Sequence, residues 1–215
     1  MRTQKGELRR TLPDLDDHPE QLERVELVDG ESVEDGRLAD GDFSGRTIGQ
    51  LVVHRSLIEA VSFANATIQS VRLRDVRFVR CDLSNSVMRG LQANRVEFID
   101  CRLMGMKAAE CRMEDVLLER CDSRYAQFTA GAMRRSDFID TQLQESDFRG
   151  VNLENSRWVR SSLSRADLNG AKMTGADLRG AEIDGLTVGA TDVAGAIVSP
   201  SQAMELARLL GLVIR

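Results

Sequence analysis

Between Arg165 and Ala181 the chain reads RADLNGAKMTGADLRGA, and an apolar residue returns at every fifth position: Leu168, Met173 and Leu178. Alanine stands two places before each of them (Ala166, Ala171, Ala176) and glycine two places after (Gly170, Gly175, Gly180). An α-helix repeats its faces every 3.6 residues and a flat strand every 2, so neither holds a five-residue series on one side. Stepping by fives in both directions meets a centre that is apolar at every stop from Leu38 to Val198 except Ser123, and the phase never slips. The companion two places before each centre is small or apolar almost throughout, as at Ala66, Cys81, Cys101, Cys121 and Ser136, with Arg46 the odd one out. An unbroken repeat over this span describes one solenoid, not a set of globular domains.

The pattern resembles the pentapeptide repeat proteins, whose unit is roughly Ala-(Asp/Asn)-Leu-x-x. The resemblance implies an all-β solenoid, a right-handed quadrilateral parallel β-helix with four pentapeptides per coil. Centre and minus-two side chains point inward and the other three outward. Over residues 36–198 that makes about eight coils. Independently of the resemblance, glycine two places after the centre (Gly90, Gly105, Gly150) suits a turn that needs positive φ at its third residue.

The composition fits such an interior. With 42% hydrophobic but only 4% aromatic residues, the chain is suited to a narrow core of stacked aliphatic side chains. Residues twenty apart should stack at the inter-strand spacing of about 4.8 Å. One face then carries Phe78, Phe98, Leu118, Phe138 and Trp158 as an aromatic spine. Outside it run Val79, Ile99, Glu119, Ile139 and Val159, a mostly apolar ridge, and beside that Arg80, Asp100, Arg120, Asp140 and Arg160, alternating in sign. Cys81, Cys101 and Cys121 fall in line as inward small fillers. No disulfide or metal site is expected of them, since stacked side chains point in parallel and no His or carboxylate shares those positions.

Residues 1–35 form a separate acidic block, expected as a polar cap over the first coil's strand edge or as a binding arm, with a short helix over Asp14 to Leu22. At the other end, Ser199-Pro200-Ser201-Gln202 is a capping box with proline at the first helical position, and Gly211 is the stop. The helix and tail, residues 199–215, carry Met204, Leu206, Ala207, Leu209, Leu210, Leu212 and Ile214, more apolar surface than one cap needs, and a homodimer is expected there. The ending SPSQAMELARLLGLVIR looks like the C-terminal dimerisation helix of gyrase-interacting, quinolone-resistance members of the family. That resemblance implies a rod imitating B-DNA that binds DNA gyrase or another type II topoisomerase.

Charge limits the imitation. B-DNA carries about one negative charge per 1.7 Å, whereas from Leu38 to Pro200 the chain has 22 acidic and 21 basic residues. The acidic excess lies beside the expected dimer seam, at Asp147, Asp167, Asp177, Glu182, Asp184 and Asp192, and a DNA-binding saddle is expected to meet it there. The continuous phase predicts that no loop interrupts the coils. A partner docking on Val79, Ile99, Ile139 and Val159 is the alternative. A basic face of Arg55, Arg72, Arg74, Arg95, Arg112, Arg134, Arg135 and Lys172 lacks interleaved aromatics, and direct nucleic-acid binding is not expected.

His18 and His54 lie in different blocks without a nucleophile or ligand partner at a recognisable spacing, and no phosphate loop, GxSxG or paired-Cys zinc pattern occurs. No enzyme activity, cofactor or metal is expected. No apolar run approaches membrane-spanning length, and MRTQKGELRR lacks the apolar region of a signal peptide, so a cytoplasmic location is expected.

Overall fold

A chain that must bury every fifth side chain has to turn after each one. The computed structural model, which describes residues 10–214, shows how. With three exceptions (Gln50, Ser70 and Ala190), every fifth residue from Asp35 to Gly195 has positive φ, between 42° and 84°. Each such residue is a corner, four corners close a coil, and the next coil stacks on it in parallel register with a step of twenty. Val53 pairs with Leu73, Phe78 with Phe98, and Phe138 with Trp158.

Two kinds of corner occur. Glycine corners, and the Asn and Tyr corners that behave like them, close hydrogen-bonded turns: Val151 N–H donates to Phe148 O around Gly150, and Ala66 N–H to Phe63 O around Asn65. Positive φ at the third residue makes these type II turns. Most corners made of Asp or Arg instead lie within or at the end of strands, whereas Glu145 and Arg165 close hydrogen-bonded turns, Ser146 N–H donating to Leu143 O and Ala166 N–H to Leu163 O. The strands Leu51–Glu59, Val71–Val79, Gln92–Ile99 and Arg112–Glu119 each run across two faces, bending at Arg55, Asp75, Arg95 and Asp115, where the paired register skips the corner residue and resumes in the same step of twenty. They form the middle of a nine-stranded parallel sheet, while Thr47–Ile48, Thr67–Ile68 and Val87–Met88 form a three-stranded sheet on another face.

The interior is continuous from Val33 to Leu186. Its aromatic spine stacks as expected, Phe78 on Phe98 at 4.8 Å and Phe138 on Trp158 at 3.8 Å. Trp158 Nε1 donates to Ser156 Oγ at 3.0 Å. Ser123, the one polar centre, is fully buried, and its hydroxyl has no partner among the described residues. The four cysteines are buried and free, and burial pushes the Cys111 thiol up to about 12.

Both ends of the solenoid are covered. At the start, Val25 N–H donates to Arg37 O and Arg37 N–H to Glu23 O, while the Asp29 carboxylate accepts from the N–H groups of Gly49 and Gln50. Only Pro19–Gln21 is helical there, as one 3-10 turn, because Pro19 interrupts the stretch expected to form a longer helix. The first nine residues of the acidic block and Arg215 lie outside the described residues.

At the far end, the helix Pro200–Leu209 starts on the complete Ser199/Gln202 capping box. It ends with Gly211 N–H on Arg208 O and Leu212 N–H on Ala207 O, a Schellman motif with Gly211 left-handed. Gln202 Nε2 donates to Leu178 O at 2.6 Å and Ala181 O at 2.8 Å, closing the last coil's carbonyls. One departure precedes it: residues 190–195 leave the regular coil as a turn although the phase continues. Ala190 is not left-handed, and Asp192 Oδ2 instead accepts from Gly189 N–H at 2.8 Å.

Candidate interaction surfaces

With the interior closed, function has to be carried outside, and the exterior is organised by the corners. Two of them carry charge ladders. Along one, Arg95 donates to Asp75 at 2.5 and 2.6 Å and Arg135 to Asp115 at 3.0 and 3.0 Å, with Arg55 on Asp35 before them. Along the other, Arg120 donates to Asp100 at 2.6 and 3.1 Å and Arg160 to Asp140 at 2.6 and 2.6 Å. Each Arg grips the Asp of the preceding coil with both arms of its guanidinium. The second ladder matches the sign alternation in the sequence. The first removes Arg55, Arg95 and Arg135 from the expected basic face, because their charge is spent on Asp35, Asp75 and Asp115.

The acidic N-terminal block does more than cap the first coil. Its residues 10–14 run along the side of the solenoid: Thr11 N–H donates to Asp115 Oδ1 at 3.2 Å and Asp14 N–H to Asp75 Oδ1 at 2.9 Å. Arg10, with its side chain only 6% exposed, donates to Glu97 at 2.8 Å, and Arg77 donates to the other oxygen of the same carboxylate at 2.8 Å. Beneath this strap the outward side chains Leu57, Glu97 and Leu117 are buried. Sequence reasoning missed these three, since an outward position on a regular rung gives no sign of being covered.

The six acidic candidates do not converge. Asp147 and Asp167 stack on one face, where Arg149 donates to Asp147 at 2.6 Å and approaches Asp167 at 3.7 Å. Asp177, on another face, accepts from Arg179 at 2.6 Å. Asp192 is engaged in the turn at Gly189. Glu182 and Asp184 remain exposed on either side of buried Ile183. A third carboxylate joins them: partial desolvation and the neighbouring Asp184 push the Glu205 carboxyl of the C-terminal helix above its ordinary range. Glu205 was not singled out from the sequence, and its signal is the stacking of the helix on the last coil.

The apolar candidates divide. Leu206 is buried against the coil and belongs to the cap, with Ala207 half-buried beside it. Met204, Leu209, Leu210, Leu212 and Ile214 are exposed, together with Val213 and Ile197. The face turned to the solenoid is that of Gln202 and Leu206, whereas Ala203 and Leu210 are exposed. Elsewhere, the ridge candidates Val79, Ile99, Ile139 and Val159 are half-buried, in two adjacent pairs separated by Glu119. No helix among the described residues is long and apolar enough to cross a membrane.

Sequence comparison places the repeat in a known class. The profile of the pentapeptide repeat region matches residues 71–148, and that of pentapeptide repeats (8 copies) matches residues 146–185. The chain belongs to the pentapeptide repeat family. Among solved structures it is similar to trypsin-treated QnrB1, a plasmid-mediated fluoroquinolone resistance protein, at 21% identity and a TM-score of 0.47 over 90% of this chain and 95% of that one. It is also similar to HetL of the cyanobacterium Nostoc, a pentapeptide repeat protein involved in heterocyst differentiation regulation, at 14% identity and a TM-score of 0.39 over 78% of this chain and 89% of that one. No curated protein matches the sequence.

Proposed function

We propose that the protein is a non-enzymatic rod that pairs tail to tail through its C-terminal helix. At the acidic end of the rod it binds DNA gyrase or a related type II topoisomerase as a partial DNA mimic. Fluoroquinolone or gyrase-toxin resistance is the outcome such binding would produce. The observation that carries the reading is the placement of two features side by side. The exposed side chains of Met204, Leu209, Leu210, Leu212 and Ile214 adjoin the carboxylates Glu182, Asp184 and Glu205, none of which forms an ion pair among the described residues. A two-fold contact through the former sets two copies of the latter on one continuous rod, so negative charge is densest at its middle. The coils before it are charge-cancelled by their own Arg–Asp ladders and contribute shape more than field.

Purified protein at micromolar concentration and low salt should lower gyrase supercoiling in proportion to the amount added. The Glu182→Lys, Asp184→Lys double variant should lose most of that effect. Unchanged supercoiling together with no retention of gyrase would end the reading. Binding that survives Asp177→Lys and Asp184→Lys but disappears with Ile139→Asp would instead assign the docking surface to the ridge of Val79, Ile99, Ile139 and Val159.

A further inference from the structure

The face flanked by the first charge ladder carries a cleft of ≈ 480 Å³, lined by His54, Arg72, Arg74, Arg112, Glu114 and Arg134 among others. Arg72 and Arg112 stand in the same outward row, one on each side of Gln92. Both are exposed, and neither has a side-chain partner among the described residues. The parallel row reads Arg74, Asn94, Glu114 and Arg134, with Arg74 3.6 Å from Asp75 and Arg134 3.6 Å from Glu114. Two guanidinium groups therefore point outward unpaired, two rungs or about 10 Å apart.

The molecule itself shows what kind of chain fits alongside. In the strap, Thr11 and Asp14 are three residues apart and bond to Asp115 and Asp75, which are two rungs apart. Three extended residues cover about 10 Å, the same as two rungs. The Asp14 carboxylate also lines a pocket shared with Arg55, Arg74 and Arg95 at the edge of this face. We infer that the face docks an extended acidic segment of a partner protein, running along the rod beside the strap, with carboxylates every third residue on Arg72 and Arg112. The amides of Gln92 and Asn94 are placed to bond its backbone. A uniform polyanion fits less well, because Glu34, Glu114 and Glu154 interrupt the second row and would face a charge at every step, whereas a peptide can place a neutral or basic residue there. The surface is separate from the acidic end assigned to the topoisomerase and does not depend on that reading.

The test is a titration of the full chain by fluorescence anisotropy with three labelled peptides: glutamate at every third position among serines, glutamine in place of each glutamate, and the same glutamates clustered together. Short duplex DNA is the fourth ligand. The spaced glutamate peptide should bind best, and Arg72→Gln with Arg112→Gln should weaken it roughly tenfold while leaving the thermal midpoint unchanged. Arg134→Gln serves as a second variant should the pair melt early. Equal binding of the spaced and clustered peptides, tighter binding of duplex DNA, or indifference to both variants would each overturn the proposal.

Discussion

An arginine with positive φ carries backbone strain of about 1 kcal/mol or more, yet Arg55, Arg80, Arg95, Arg120, Arg135, Arg160 and Arg165 all adopt it. In the two ladders the compensation is a two-armed ion pair to the Asp one coil earlier, and its worth depends on burial. Asp75 is 5% exposed and Asp140 37%. Arg95→Ala leaves a covered carboxylate short of its main partner and should cost about 3 kcal/mol. Arg160→Ala breaks a solvated pair and should leave the denaturation midpoint almost where it was. Equal losses measured by chemical denaturation would contradict this account of the corners.

The same pairs fix the sign of the acid response. Arg120 and Arg160 hold the carboxyls of Asp100 and Asp140 below their ordinary range. Burial alone would raise Asp75 and Asp115, but Arg95 and Arg135, with the strap's N–H groups, bring both below it. A carboxyl lowered by folding contributes its full stability above the unfolded value of about 3.9 and loses it as pH falls through the folded one. The melting temperature should therefore hold from neutrality to about pH 5 and fall below about pH 4; a rise on acidification would refute it. The Asp100–Arg160 ladder was legible as a sign alternation at a step of twenty. The Asp35–Arg135 ladder obeys the same rule, but a reading that sorts residues by charge alone puts its arginines on a basic face.

Among the elements, the coil was legible and its attachments were only partly so. A period of five with small companions excludes helix and flat strand, the resemblance to pentapeptide repeat proteins implies the four-cornered coil, and the capping box with Gly211 marks the C-terminal helix. The strap has no period. Its path is fixed by Arg10, Thr11 and Asp14 meeting Glu97, Asp115 and Asp75, pairings between residues more than sixty positions apart that no local pattern announces. Sequence pattern alone groups Leu206 with the residues of the expected dimer contact for a related reason: an amphipathic pattern does not say which apolar side chain meets the coil and which is left to meet a second chain. Leu209→Asp should convert a dimer to a monomer in light scattering with its melting temperature unchanged. Leu206→Asp should lower the melting temperature by unseating the helix from the last coil. A dimer that survives Leu209→Asp intact would remove the seam from this helix.

For the whole molecule, net charge is a poor guide and its distribution a better one. The sequence total of −5 conceals paired charges along the middle coils, open arginines on one face of them, and carboxylates gathered at the C-terminal end. Counting charges along the sequence located the acidic end. It did not show that Asp147 and Asp177 are held by Arg149 and Arg179, or that Glu205 completes the group with Glu182 and Asp184. Under the function proposed above, such a rod would imitate DNA only at the dimer seam, and it should occupy the site on the topoisomerase where duplex DNA lies. The most direct test is retention of gyrase on the immobilised protein while linear duplex DNA is titrated in at low salt. The account predicts that DNA releases the enzyme completely and that the released fraction follows occupancy of the DNA site; gyrase that stays bound at saturating DNA, or never binds, would contradict it.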